Sequence, residues 1–167
     1  MQLLVIRHGI AMEREEFAPR GLDDDLRPLT DEGRRKMAEG TKGLLQLVET
    51  LDLLAASPLV RARQTADIVA KAYGNLHVAT TPSLRPDSPA PEFLSWLKDQ
   101  RGEVIAVVGH EPHLGMLVTW LMTGFGESRV PLRKGGACLL ELDTAGREGD
   151  ASLQWALTAS QLRRVGA

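Results

Sequence analysis

An α/β sandwich around a mostly parallel sheet is the architecture predicted for this chain of 167 residues. Three observations predict it. Apolar runs at Leu3-Leu4-Val5-Ile6 and Val104-Ile105-Ala106-Val107-Val108 have the length and β-branched content of strands buried on both faces. Strand-like and helix-like segments alternate along most of the chain. Two late strand-like stretches, joined by turn residues, leave room for one antiparallel strand in an otherwise parallel sheet.

The elements follow in order. After the first strand, residues 12–28 are charged, carry Pro19, Gly21 and Pro28, and lack an apolar period, so they read as a loop. Thr30 can cap a helix whose first turn is acidic at Asp31 and Glu32. Met37, Thr41, Leu44, Leu45 and Val48 continue it at helical spacing. Gly33, Gly40 and Gly43 each weaken that helix by about 1 kcal/mol relative to alanine, so close packing or a site contact is expected at Gly33. Leu51 to Ala56 reads as the second strand, broken by Ser57-Pro58. A helix from about Leu59 to Tyr73 stops at Gly74. Leu76 to Thr80 reads as a short strand. A loop through Pro82, Pro86, Pro89 and Pro91 leads to a helix marked by Phe93, Leu94 and Leu97. The strand at 104–108 is followed by a helix at 113–123, with Leu114, Leu117, Val118 and Leu121 on one face. Ala137 to Leu142 and Leu153 to Thr158 are the late strands, with a turn at Thr144-Ala145-Gly146. No repeat, low-complexity segment or linker divides the chain, so one domain over 1–167 is expected.

Composition narrows the function. The net charge is −2, with 43% hydrophobic and 25% charged residues, as in a globular protein without the basic field that nucleic acid would attract. An anion site must therefore be built from local arginines. A single cysteine, Cys138, excludes an internal disulfide or a multi-cysteine zinc site and fits a reducing compartment. No apolar stretch approaches the roughly 20 residues of a membrane span, and no basic region precedes the first apolar run. A cytoplasmic protein with no membrane partner is expected.

Both long apolar runs end in a histidine, His8 and His110, and ligands in open α/β sheets collect beyond the carboxyl ends of strands. Neutral imidazole is a competent nucleophile near neutral pH. Position alone does not separate that role from a core histidine bonded to a backbone carbonyl. Neighbouring residues in a strand face opposite ways, so Arg7 and His8 share a pocket only if the chain turns there, and Gly9 permits the turn. Arg7 would then offer planar, bidentate phosphate contacts. Arg61 falls in the first turn after Ser57-Pro58, where free N–H groups and the helix dipole already favour anions.

Other groups read differently. His110-Glu111-Pro112-His113 has the wrong companions for zinc, and arginines beside His8 would repel a cation, so no metal is expected. Ser57 lacks a nucleophile elbow, and Lys134-Gly135-Gly136 opens a strand rather than the helix of a phosphate-binding loop. Arg63 lies on another face of its helix and reads as surface or as support behind the site. Gln64 and Thr65 read as packing or arginine-ordering residues. His113 has two open placements, the pocket border or an exposed helix start. Glu111 reads as structural and His77 as surface.

Four segments in order carry a resemblance: Leu4-Val5-Ile6-Arg7-His8-Gly9, Leu29-Thr30-Asp31-Glu32-Gly33, Ser57 through Thr65, and Gly109-His110-Glu111-Pro112-His113-Leu114. There the chain resembles the histidine phosphatase superfamily, which includes cofactor-dependent phosphoglycerate mutases and acid phosphatases. Its short length and its Gly-His-Glu-Pro-His-Leu segment make it most similar to the small bacterial protein-phosphohistidine phosphatases of the SixA type. The resemblance implies a three-layer α/β/α, phosphoglycerate mutase-like fold. It implies His8 as the nucleophile of a phosphohistidine intermediate and Arg7, Arg61 and His110 as phosphate ligands, with His110 acting as a cation. No cofactor is implied.

The general acid is where the resemblance ends. Larger members carry a glutamate inside a longer insertion, whereas this chain has only Leu84-Arg85-Pro86-Asp87-Ser88. Asp87 is the acid candidate and Glu92 the runner-up. Phosphohistidine has a basic imidazole leaving group and depends less on an enzymic acid than an alkyl phosphoester does. A weak acid position thus favours phosphohistidine in proteins as substrate. A small phosphomonoester such as a sugar phosphate is the alternative, and a phosphate-binding module without turnover is the alternative of another class.

Overall fold

The computed structural model describes residues 1–143 and 146–167. Six strands form one sheet: β1 (Gln2–Arg7), β2 (Leu53–Ala56), β3 (Val78–Thr80), β4 (Val104–Gly109), β5 (Ala137–Glu141) and β6 (Ser152–Leu157). Their order is β3-β2-β4-β1-β5-β6. β3, β2, β4 and β1 pair in parallel, and β5 runs antiparallel to both β1 and β6. The late strand pair therefore does supply the single reversed strand. Of the turn expected between them, Thr144 and Ala145 lie outside the described residues.

Alternation along the strands separates two apolar layers. Leu3, Val5, Ile105 and Val107 face one way and pack on α4 (Ala90–Lys98) and α5 (His113–Thr123) through Phe93, Leu97, Leu114 and Leu117. Leu4, Ile6, Ala106 and Val108 face the other way. They pack on α2 (Asp31–Leu47), α3 (Val60–Ala72) and α6 (Ala159–Val165) through Met37, Leu44, Ala62, Val69 and Leu162. The result is the expected three-layer α/β/α sandwich. Thr30 caps α2, its Oγ1 accepting from the Gly33 amide at 2.9 Å.

Two departures from the sequence reading matter. The segment expected to be a loop contains three single-turn elements: α1 (Arg14–Phe17) and 3-10 turns at Ala18–Arg20 and Asp24–Leu26. Elements this short never develop an apolar period. The C-terminal helix α6 was not anticipated, because within seven residues only Leu162 is fully buried. Its trace nevertheless lies in α2. A Cβ on Gly43 would stand 2.0 Å from the Leu162 carbonyl oxygen, so the glycines that weaken α2 as an isolated helix admit α6. Gly33 likewise lies against the backbone of Ile10, where a Cβ would come within 2.0 Å of its oxygen.

Candidate active site

The strand order assembles the site. β1 and β4 are neighbours in register, Arg7 opposite Gly109, so His8 and His110 leave the sheet side by side. The His8 amide donates to the Gly109 carbonyl at 3.0 Å, and the ring centroids lie 5.2 Å apart. β2 flanks β4 on its other side and delivers Ser57, whose Oγ is 2.8 Å from His110 Nε2. Arg61 enters from the first turn of α3. Arg7, His8, Arg61 and His110 all line one cavity of about 250 Å3.

Each side chain is held from behind. His8 Nδ1 donates to the Gly9 carbonyl at 2.7 Å, since a carbonyl can only accept. That tautomer leaves the Nε2 lone pair free. Arg7 Nη1 donates to the Leu132 carbonyl at 2.8 Å. Arg61 Nη1 donates to the Asp24 carbonyl at 3.1 Å and lies 3.4 Å from the Asp24 carboxylate. Thr65 Oγ1 donates to the Arg61 carbonyl at 2.8 Å and accepts from the Gly9 amide at 3.1 Å, fastening the turn after β1 to α3. Gln64 accepts from the Leu29 amide at 2.9 Å. Both residues thus order the surroundings, as their place in the motif anticipated.

Among the described residues, three nitrogens on the cavity's own side chains are buried without a partner: Arg7 Nε, Arg61 Nε and His110 Nδ1. A buried, unsatisfied polar group costs about 1–3 kcal/mol, and an anion in the cavity is a group that such donors could satisfy.

Electrostatics keep the histidines neutral. Burial, followed by the positive fields of Arg61, Arg7 and Arg27, pushes His8 down to about 3 against the opposing Gly9 bond. Burial, then His8, Arg61, His113 and Arg7, pushes His110 down to about 2. The sequence reading expected a His110 cation. The protein alone holds the ring neutral, and only an added anion could offset these neighbouring charges.

A stability effect follows. Both folded values lie below the 6.5 of an unperturbed imidazole. Below 6.5 the unfolded chain takes up protons that the fold refuses. Stability is therefore complete above about 6.5 and falls as pH drops toward 3, by about 1.4 kcal/mol per pH unit for each histidine. Urea midpoints should decline between pH 6.5 and 5, and the decline should flatten when both histidines are replaced by asparagine. Equal midpoints across that window in the unmodified protein would contradict the buried neutral pair.

The structure adds residues that the sequence reading passed over. Arg27 lines the cavity and is 8% exposed. Its Nε donates to the Asp24 carboxylate at 2.8 Å and its Nη1 to the Met12 carbonyl at 2.7 Å. Asp24 thus orients two arginines, and the Arg27 hydrogen bond above all holds its carboxyl below the usual range. Arg14, Lys134, Glu13 and Glu15 also line the cavity, so the charged segment after β1 is part of its wall. The signal lay in that density of charge.

Three carboxylates face the cavity, Glu13, Glu15 and Glu111, and Asp87 is not among them. Pro86 is the residue its loop presents. The Asp87 side chain is 85% exposed, with its carboxylate 3.9 Å from Arg85 Nε, and Glu92 is exposed on α4. Glu111 Oε1 accepts from the Leu132 amide at 2.9 Å, and burial raises its carboxyl. The backbone of Leu132 therefore links Glu111 to Arg7, although Glu111, read from sequence as structural, also lines the cavity. His113 is buried, outside the cavity wall and unlike either anticipated placement, with both ring nitrogens unpartnered. Arg63 and His77 are exposed and line a different surface depression.

Comparison with known proteins bears on the family and the fold. A family model for the histidine phosphatase superfamily (branch 1) matches residues 3–86. The chain belongs to that superfamily. An uncharacterised protein of Picosynechococcus is 35% identical over 141 residues, covering 81% of this chain and 82% of that protein. Among solved structures, the protein histidine phosphatase SixA complexed with tungstate superposes with a TM-score of 0.79 at 23% identity, covering 97% of this chain and 99% of that one. The alpha-ribazole phosphatase of Shigella flexneri superposes at 0.73 with 22% identity, over 95% and 97% of the two chains. Among the described residues no helix is long and apolar enough to cross a membrane.

Proposed function

We propose that the protein removes phosphate from phosphohistidine in other proteins, through a covalent phosphohistidine on His8 and without a metal. The observation that carries this is the neutral His8, its Nδ1 proton committed to Gly9, beside His110, Arg7 and Arg61 around one small cavity. His8 Nε2 attacks phosphorus as the P–N bond to the substrate imidazole breaks; the bonding pair passes to that nitrogen, and the ring leaves neutral because its other nitrogen already carries a proton. Arg7 and Arg61 donate to the equatorial oxygens, where charge is concentrated in the transition state. The incoming dianion raises the basicity of His110, whose unpartnered Nδ1 supplies a further donor. Water then attacks the phosphohistidine, releasing inorganic phosphate and free His8. The ring of arginines disfavours a cation at this place.

The choice of phosphohistidine rests on the acid position. Pro86 stands where the loop meets the cavity, and the adjacent Asp87 carboxylate is turned to solvent. An imidazole leaving group tolerates this better than an alkoxide does. The likeness to a protein histidine phosphatase favours the same reading, while the likeness to alpha-ribazole phosphatase supports small phosphomonoesters as the second one.

Turnover of a phosphorylated histidine-containing carrier protein, measured beside a series of alkyl phosphoesters, decides between them. The expected result is kcat/KM at least tenfold higher on the carrier. A higher value on an alkyl ester would select the second reading, and no hydrolysis of any substrate would leave a binding module. In the same assays Asp87→Asn should change either rate by less than about threefold, because an acid in place is worth about 10²–10⁴. A large loss confined to the ester would return Asp87 to the proton-donor role.

A further inference from the structure

A second cavity, of about 450 Å3, adjoins the first, and Arg7 and Lys134 line both. Lys36, Arg133 and Arg163 add to its positive wall, which contains no carboxylate residue. Three of these cations have carboxylate neighbours outside the cavity: Lys36 with Glu32 at 2.5 Å, Lys134 with Glu13 at 3.8 Å and Arg163 with Glu39 at 3.8 Å. Such exposed pairs hold their charges loosely. Arg133 has no ion pair among the described residues. Ile10, Met37 and Ala159 supply apolar surface between the charges.

The basic turn is fixed onto the nucleophile's own backbone. The Gly135 amide donates to the carbonyls of Arg7 and His8 at 3.2 and 3.0 Å, and the Arg7 amide donates to Gly136 at 3.0 Å. Gly135 has φ +72°, and a Cβ there would lie 3.3 Å from Ala159 Cβ, so glycine both permits the turn and keeps the cavity open. The Lys134-Gly135-Gly136 segment, which fits no phosphate-binding loop by sequence, thus holds Lys134 and the preceding Arg133 at a set position beside His8. Burial mainly, with Arg133 as a further cause against the pull of Glu111, lowers the Arg7 pKa, so the charge of Arg133 is felt at the phosphate site.

We propose that this second cavity receives a carboxylate or phosphate carried on the leaving-group side of the substrate, making doubly anionic substrates the preferred ones. The inference rests on the phosphatase reading and specifies its substrate class. The anion has two possible sources: an acidic residue next to phosphohistidine in a protein, or a second acid group on a small phosphorylated molecule.

Two substrate pairs test it. The first is a phosphohistidine peptide with glutamate or alanine beside the phosphorylated residue, and the second is 4-carboxyphenyl phosphate against phenyl phosphate. In at least one pair kcat/KM should favour the doubly anionic member by about tenfold, the equivalent of about 1.4 kcal/mol. The pair that responds identifies the source. Arg133→Ala should reduce that ratio toward one and Arg133→Glu should invert it. Arg133 is an exposed turn residue, so both variants are expected to fold. Equal kcat/KM within both pairs, or a ratio unchanged in Arg133→Glu, overturns the second subsite while leaving the phosphatase reading intact. Failure to hydrolyse any of the four overturns both.

Discussion

His8→Ala is expected to lower turnover of any phosphorylated substrate by about 10³ or more, because on the proposed mechanism it removes the nucleophile of the covalent intermediate. The loss should be chemical rather than structural. The His8 side chain makes a single hydrogen bond, to the carbonyl of the adjacent Gly9, and its ring is held neutral at a cost in desolvation. The variant should therefore remain folded, with a weaker loss of stability on acidification than the parent. Rapid quenching of the unmodified protein with labelled substrate should trap an adduct that is labile in acid and stable in base, and His8→Ala should show none. Full activity in the variant, or an adduct that persists in it, would exclude His8 as nucleophile.

Arg61→Lys tests the electrostatic half of the mechanism. Lysine keeps the charge but loses the planar fork. In the structure one arm of Arg61 is engaged with the Asp24 carbonyl and carboxylate, while Nε remains unpaired on the cavity side chain. A point ammonium cannot hold Asp24 and a phosphate oxygen in the same fixed geometry. The expected loss in kcat/KM is about a hundredfold, the scale seen when one preorganised oxyanion donor is removed. Orthovanadate, a tetrahedral oxyanion of similar shape, should weaken as an inhibitor in parallel. A loss below about threefold would show that Arg61 serves only to anchor the segment around Asp24.

Much of this was legible in the sequence because strand ends and helix starts are local features. The apolar runs of β1 and β4 identify themselves by length and composition, and each is followed by its histidine. Arg61 is legible because Ser57-Pro58 breaks the chain one turn earlier. Arg27 was not legible. Its place depends on Asp24 three residues before it and the Met12 carbonyl fifteen residues before it, contacts that exist only once the Asp24–Leu26 turn has folded against α3. The Asp87 candidate shows a similar limit, since which member of a short loop faces inward depends on packing that composition does not encode. Gly40 and Gly43 of α2 were read as a weakness of that helix, and their reason emerged only with α6 lying against them.

The sequence by itself thus determined the α/β class and the strand ends that carry His8 and His110, which follow from local periodicity and chain breaks, while the three-layer form and the roles expected of Arg7, His8, Arg61 and His110 came from the family resemblance. The tertiary structure alone decided that β2, β4 and β1 are consecutive neighbours, setting Ser57, His110 and His8 in one row. It also decided that both histidines are neutral in the fold and that a second basic cavity opens beside the first. Strand order and burial arise from contacts between distant parts of the chain, and no window of sequence contains both partners of such a contact.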